Sequence, residues 1–390
     1  MALIRSLTPA LHRLDHAIGH LGPRRDVLVE LRTPVYHGVL EPIAEALRAD
    51  PSVRVWYTSE HPDRIAPLVP AGRVLTHANV AWRRFDAYIN GDPWAAARLR
   101  RCAHRVNFFH GVAGKYDLDN PAGLPMGFDA YTHVAFINQD RLQRYVRAGV
   151  VTAEQAVLVG YPKLDRLASG GYDAVAVRDS LGLERGRSTV LYAPTYSPAS
   201  SLHMAGEAIV SALVAAGFNV IVKLHDRSLD PDPRYSAGID WRARFVAMAA
   251  AAPRRIAFAS GPDVSPLLAA AQLLVTDHSS AGFEYLVLDR PLIVFDAPDL
   301  AAAARINPDK IALLRSAATV ARNVEEVTRA AAGALADPAR LTDARRRVAQ
   351  EMFFDPGRAT ARAATLVRGL LALPARHAAA HVPAGTGEAS

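Results

Sequence analysis

The stretch LLVTDHSSAGFEYLVLDRPLIVFD, residues 273–296, decides how this chain is read. Leu273, Leu274 and Val275 form a short apolar run, which fits a strand covered on both faces of a parallel sheet. A polar elbow follows (Thr276, Asp277, His278, Ser279, Ser280), then a helix predicted over 281–288. Asp289, Arg290 and Pro291 turn the chain into a second apolar strand at 292–295. Ser279 and Ser280 stand where hydroxyls meet the unpaired N–H groups of a helix start. Such a place either caps the helix or holds an anion such as a diphosphate, and spacing alone leaves both readings open. Glu284, one turn on, is either a surface acid or a residue facing the same ligand.

Working outward, the same grammar repeats on the N-terminal side. TVLYAPT (189–195) reads as a strand, 205–216 as a helix, and NVIVKLH (219–225) as a strand. A helix over 241–251, a strand over 255–259 and a helix over 264–271 complete this half. Further upstream, strands are predicted at 26–33, 53–57, 85–90, 106–109 and 132–138, then around 157–160. Helical patterns lie between them at 37–50 and 140–148. Strands alternating with helices predict an α/β fold with largely parallel, doubly wound sheets, whose ligands sit beyond the carboxyl ends of the strands. His110 and His225 both follow apolar strands and so fall at such ends, with Gly111 beside the first and Lys223 two residues before the second. A histidine in that place is either structural or a site residue.

At 390 residues, two domains are the natural expectation. The expected division is an amphipathic N-terminal helix (1–22), a Rossmann-like domain (23–167), a linker with a short helix (168–188), a second Rossmann-like domain (189–373) and a disordered tail (374–390). Residues 1–22 carry Leu3, Leu7, Leu11, Leu14 and Ile18 on one helical face with basic flanks. That face suits packing on its own domain, a dimer contact or an anionic membrane surface. Helices are also predicted at 324–336, 342–352 and 358–373.

The net charge of +7 favours anionic partners. No basic run interleaved with aromatic residues points to nucleic acid. Cys102 is the one cysteine, so no internal disulfide forms and a reducing compartment is expected. No Cys/His cluster suggests a metal, no apolar run approaches the roughly 20 residues of a membrane span, and no signal-peptide core opens the chain. A cytoplasmic protein is expected, with the inner face of the cell membrane as a second station.

TVLYAPTY, VIVKLH, LLVTDHSSAGFEYLVLDRPLIVF and FFDPGRATARAATLV, in that order, resemble the motifs of the CDP-glycerol glycerophosphotransferase family, which builds teichoic-acid and related capsular polymers. The HG at 110 and GYPKLDRL from 160 match its N-terminal half more weakly. The resemblance spans roughly residues 105–370. It implies two facing Rossmann-like domains of the GT-B type, a C-terminal helix crossing back, and a donor nucleotide on the second domain. It also implies two essential histidines, mapping onto His110 and His225, and a diphosphate-binding serine pair, mapping onto Ser279 and Ser280. Gly111, Thr195, Lys223, Asp277, His278 and Glu284 complete the expected donor site. The sequence departs from the family's pattern at Asp226, where Pro is usual, at Ser197, where Arg is usual, and at His278 and Glu284, where Tyr and Asp are usual.

The chemistry so implied is transfer of a glycerol-phosphate or similar polyol-phosphate group from a CDP-linked donor to a hydroxyl of a polymer or lipid-linked acceptor. It uses no cofactor and needs no metal. His110 is the expected base and His225 the expected phosphate stabiliser. Two alternatives stand beside it: a GT-B glycosyltransferase using a nucleotide sugar, and a non-catalytic nucleotide-binding protein on the same frame. The donor, the acceptor, which of the two histidines is the base, the oligomeric state and whether the N-terminal helix binds membrane or protein are open at this point.

Overall fold

The computed structural model describes residues 22, 24–91, 99–115, 118–121 and 127–373. The expected N-terminal helix and C-terminal tail lie outside the described residues, apart from Gly22. Seven strands form the first sheet: β1 (Arg25–Glu30), β2 (Val53–Thr58), β3 (Val74–Leu75), β4 (Arg84–Asn90), β5 (Arg101–Phe108), β6 (His133–Phe136) and β7 (Ala156–Leu158). Six form the second: β8 (Thr189–Tyr192), β9 (Asn219–Lys223), β10 (Ile256–Ala259), β11 (Leu273–Thr276), β12 (Leu292–Phe295) and β13 (Thr319–Ala321). The orders are β3-β2-β1-β4-β5-β6-β7 and β10-β9-β8-β11-β12-β13, and the paired strands run parallel. Each sheet therefore reverses its winding once, between β1 and β4 and between β8 and β11. Such reversals open crevices at the carboxyl ends of the strands.

β11 shows why the apolar runs are continuous. Leu273 and Val275 join one buried cluster with Val190, Tyr192, Val220 and Val222, while Leu274 joins another on the opposite face. All three are fully buried. A half-exposed strand would alternate polar and apolar residues; a strand covered on both sides does not. Truncating such a side chain, as in Leu274→Ala, costs about 2–5 kcal/mol. The face carrying Leu274 is continuous with the first sheet's core through Val348, Met352, Phe353 and Val367.

Those last residues belong to the chain's return to the first domain. The helix Ala359–Leu370 packs against the helix His37–Arg48, and Arg368 pairs with the buried Asp50. Hydrogen bonds from Ser52 and Arg368 hold the Asp50 carboxyl well below the usual carboxylate range. The GYPKLDRL motif anchors this return. Gly160, at φ 91°, lies so close to the Phe354 carbonyl that a Cβ would approach it to 2.6 Å. Asp165 accepts backbone N–H bonds from Gly357, Ala359 and Thr360, satisfying the open end of the last helix. Tyr161 stacks on Phe353 with ring centroids 6.1 Å apart. The motif ties the two halves together.

The elements not predicted include β3, β13, and the helices His77–Trp82, Pro298–Ala303 and Pro308–Ser316. The two strands span two and three residues, too short for any alternation to register.

Candidate functional site

The loop after β5 carries His110. Its Nδ1 lies 2.6 Å from the carbonyl oxygen of Gly91. A carbonyl cannot donate, so Nδ1 carries the proton and the ring's lone pair is on Nε2. The Tyr36 ring packs on the imidazole at 4.6 Å, and the Tyr161 hydroxyl donates to the His110 carbonyl at 3.0 Å. Arg141, buried, donates to the Gly111 carbonyl and to Asp119 Oδ1 and so braces the loop from beneath.

The same loop then docks on the second domain. His278 Nε2–H donates to the Ala113 carbonyl at 2.8 Å, the Asn307 N–H to the Gly114 carbonyl at 3.0 Å, and Lys115 Nζ to Thr195 Oγ1 at 2.7 Å. Burial pushes the Lys115 ammonium down to about 8, against the pull of the Asp277 carboxylate. Lys163 also crosses, donating to the buried Glu284 at 2.7 Å.

His225 ends the segment after β9 and is bonded the other way round. Its Nδ1 accepts the Arg227 backbone N–H at 3.1 Å. An amide nitrogen cannot accept, so the lone pair is on Nδ1 and the proton on Nε2. Tyr196 packs on the ring at 4.5 Å. The cleft walls desolvate His225, and the nearby cations Lys115, Lys223, Arg227 and Lys163 repel a further charge; its pKa falls well below the usual imidazole value. His225 is an exposed residue, and a bound phosphate dianion would offset the cationic part of that depression. Lys223, buried beneath it, donates to the Leu224 carbonyl, and burial lowers its pKa.

Several expected donor residues are engaged with partners inside the protein. Asp277 is fully buried, and its carboxylate accepts from the Thr195 N–H (2.9 Å), the Ser201 N–H (3.1 Å) and the Ser201 hydroxyl (2.9 Å). Its oxygens fasten the loop after β8 to the end of β11. Thr195, also buried, bridges Lys115 and the His278 carbonyl. His278 joins the domains, and burial pushes its pKa down to about 4. Glu284 is held by Lys163, burial raising its pKa while the ammonium opposes the rise. Gly111 lies close against Leu118, whose Cδ1 a Cβ would approach to 2.8 Å. Ser279 is the N-cap residue of the helix Ser280–Tyr285 but does not cap it with its side chain; its hydroxyl pairs with Thr276 Oγ1 at 2.9 Å. Ser280 is partly exposed at the first helical position.

Sequence reasoning passed over Lys115 and Lys163. Their signal was positional: each follows a motif, HGVAGK and GYPK, in a loop beyond a strand end. Among the described residues, no group of three or more His, Cys, Asp and Glu side chains is placed to hold a metal ion. No described helix is long and apolar enough to cross a membrane.

The family model for CDP-glycerol:poly(glycerophosphate) glycerophosphotransferase matches residues 129–368, more than half of the chain. The chain belongs to this family. The matched span contains His225, Lys223, Lys163 and the serine pair; His110 and Lys115 lie ahead of it. No curated protein matches the sequence. Among solved structures, the wall teichoic acid polymerase TagF is similar at 15% identity and TM-score 0.65, over 94% of this chain and 93% of that one. A histidine variant of TagF soaked with CDPG is similar at 13% identity and TM-score 0.66, over the same shares. The UDP-GlcNAc 2-epimerase of Neisseria meningitidis bound to UDP-GlcNAc is similar at 11% identity and TM-score 0.55, over 89% and 99%. These likenesses show the GT-B-like pairing of Rossmann-like sheets. As a member of the glycerophosphotransferase family, the protein is a transferase that moves glycerol phosphate from CDP-glycerol to a polymer acceptor.

Proposed function

We propose that the cleft between the two sheets performs this transfer with His110 as base and His225 as hydrogen-bond donor. The acceptor's terminal hydroxyl gives its proton to His110 Nε2 as its oxygen attacks the phosphorus bearing glycerol. The bond from that phosphorus to the CMP oxygen breaks, and CMP leaves with the charge. His225 Nε2–H, Lys115, Lys163, Lys223 and the N–H groups at Ser280 offset that charge. A neutral His225, which its depressed pKa favours, remains a donor at neutral pH without presenting a second competing base.

The observation that carries the reading is the opposed bonding of two rings at strand ends: Gly91 fixes the lone pair of His110 on Nε2, and Arg227 fixes the proton of His225 on Nε2. Proton acceptance and charge stabilisation are thereby divided between the sheets. CMP release from CDP-glycerol with a glycerol-phosphate primer tests the proposal. His110→Ala should lower kcat about 10²-fold or more in a folded protein. A wild-type protein that releases no CMP, or a folded His110→Ala variant with unchanged kcat, contradicts it.

The apolar and basic spacing of residues 1–22 supports placing the enzyme on an anionic membrane surface, where a lipid-linked acceptor would be found. Deleting that segment should lower co-sedimentation with anionic vesicles; equal binding with and without it removes this placement.

A further inference from the structure

Arg227 lies in the short turn Asp226–Leu229 that begins directly after His225. Its guanidinium rests over the Tyr196 ring at 5.0 Å and the Tyr235 ring at 5.1 Å, and it donates to the Tyr196 hydroxyl at 3.0 Å. The two tyrosines brace each other edge to face at 6.1 Å, and Tyr196 packs on His225. Among the described residues, Arg227 has no carboxylate within ion-pair distance. Arg234, seven residues on and also over Tyr235, is by contrast paired with Asp232 at 2.5 Å. Arg144, Arg244 and Arg329 are likewise paired with carboxylates.

An exposed guanidinium held in place by two aromatic faces, with no counter-charge, is a preorganised anion receptor. The rings fix its plane and leave N–H groups to form a bidentate contact with two phosphate oxygens. Its charge already reaches His225, as one of the cations lowering that pKa. It differs from the inner cations in its exposure. Lys223 is buried, and the Lys115 and Lys163 ammonium groups are engaged with Thr195 and Glu284.

We infer that Arg227, on its shelf of Tyr196 and Tyr235, is a substrate-binding residue that holds a phosphate group beside the reacting centre. This rests on the transfer reading above and adds a residue that it does not use. The phosphate has two sources. One is the donor's diphosphate; the other is the phosphodiester that precedes the terminal hydroxyl of a poly(glycerol phosphate) acceptor.

The test uses the full chain with Arg227→Ala, Arg227→Lys and Tyr196→Phe. Calorimetry gives the Kd for CDP-glycerol. Steady-state kinetics give KM for a poly(glycerol phosphate) primer and for a glycerol-ended acceptor without phosphate. Loss of one charge-assisted contact should raise the affected constant about ten-fold or more. Arg227→Lys should restore part of it, and Tyr196→Phe should weaken it less. A rise in donor Kd assigns the phosphate to the donor. A rise in primer KM, with the phosphate-free acceptor unchanged, assigns it to the acceptor. The inference is overturned if a folded Arg227→Ala protein keeps both constants at wild-type values. It is equally overturned if only kcat falls, which would mean that Arg227 acts through His225. The backbone N–H that bonds His225 survives each substitution. Wild-type turnover of CDP-glycerol is the control: its absence removes the transfer reading, and its presence beside an inert Arg227→Ala removes only Arg227.

Discussion

The loops after β5 and after β9 start from the same pattern, an apolar strand ending in a histidine, yet they are built in opposite ways. The first leaves its own domain. Its carbonyls at Ala113 and Gly114 and its Lys115 are satisfied by His278, Asn307 and Thr195 of the second. The second stays at home, with His225 held by the Arg227 N–H and by Tyr196. The lone pair of His110 accordingly sits in a loop braced by its own domain at residues 110–111 and docked on the other domain at residues 113–115. The donor proton of His225 sits on a ring whose hydrogen bond and aromatic contact come from its own domain. A strand-end histidine is thus a positional signal, and its chemical role is set by whichever backbone group reaches its Nδ1.

The strongest way to break this contrast is at the buried pair Lys163–Glu284, which spans the same junction. Lys163→Ala leaves a carboxylate with 1% exposure unpaired, a loss of about 3–5 kcal/mol by denaturant unfolding. Replacing both residues with apolar side chains of similar volume should recover most of it. A Lys163→Ala protein as stable as wild type would mean that the junction does not depend on the pair.

A smaller, pH-dependent effect belongs to His278. Its folded pKa of about 4 lies below the ordinary 6.5, so the unfolded chain binds the proton more readily. Its contribution is fully present above about 6.5 and is lost as pH falls through that value toward 4. The full loss amounts to at most ~3 kcal/mol. His278→Gln keeps an N–H for the Ala113 carbonyl without titrating, so its stability should fall less steeply in that window. His133, His203 and His225, whose values are also lowered, leave a residual slope. An unchanged slope would remove His278 as an acid-sensitive part of the junction.

The sequence showed most of the architecture because β8, β9, β11 and β12 are buried on both faces and therefore read as unbroken apolar runs. The elbow at residues 276–280 was equally visible, but its chemistry was not. Asp277, His278 and Glu284 look like ligand groups because they are polar residues at a strand end. Each also meets a partner far away in sequence: Ser201, Ala113 and Lys163. Those partners come from other loops or from the other domain, and no local pattern encodes such pairings. Lys115 and Lys163 were missed for the same reason. GYPKLDRL showed as a motif, but the work of Gly160 and Asp165 on the returning C-terminal segment became legible only when the two halves met.

The central claim is the division of labour between the two imidazoles, and matched glutamine substitutions test it most directly. Glutamine can supply an N–H donor in place of a histidine Nε2–H but cannot act as a base at neutral pH. With CDP-glycerol and a glycerol-phosphate primer, His225→Gln should keep at least about ten-fold more kcat than His225→Ala. His110→Gln should be as slow as His110→Ala, about 10²-fold or more below wild type. The reverse pattern, with His110→Gln rescued relative to its alanine variant and His225→Gln not, would contradict the assignment.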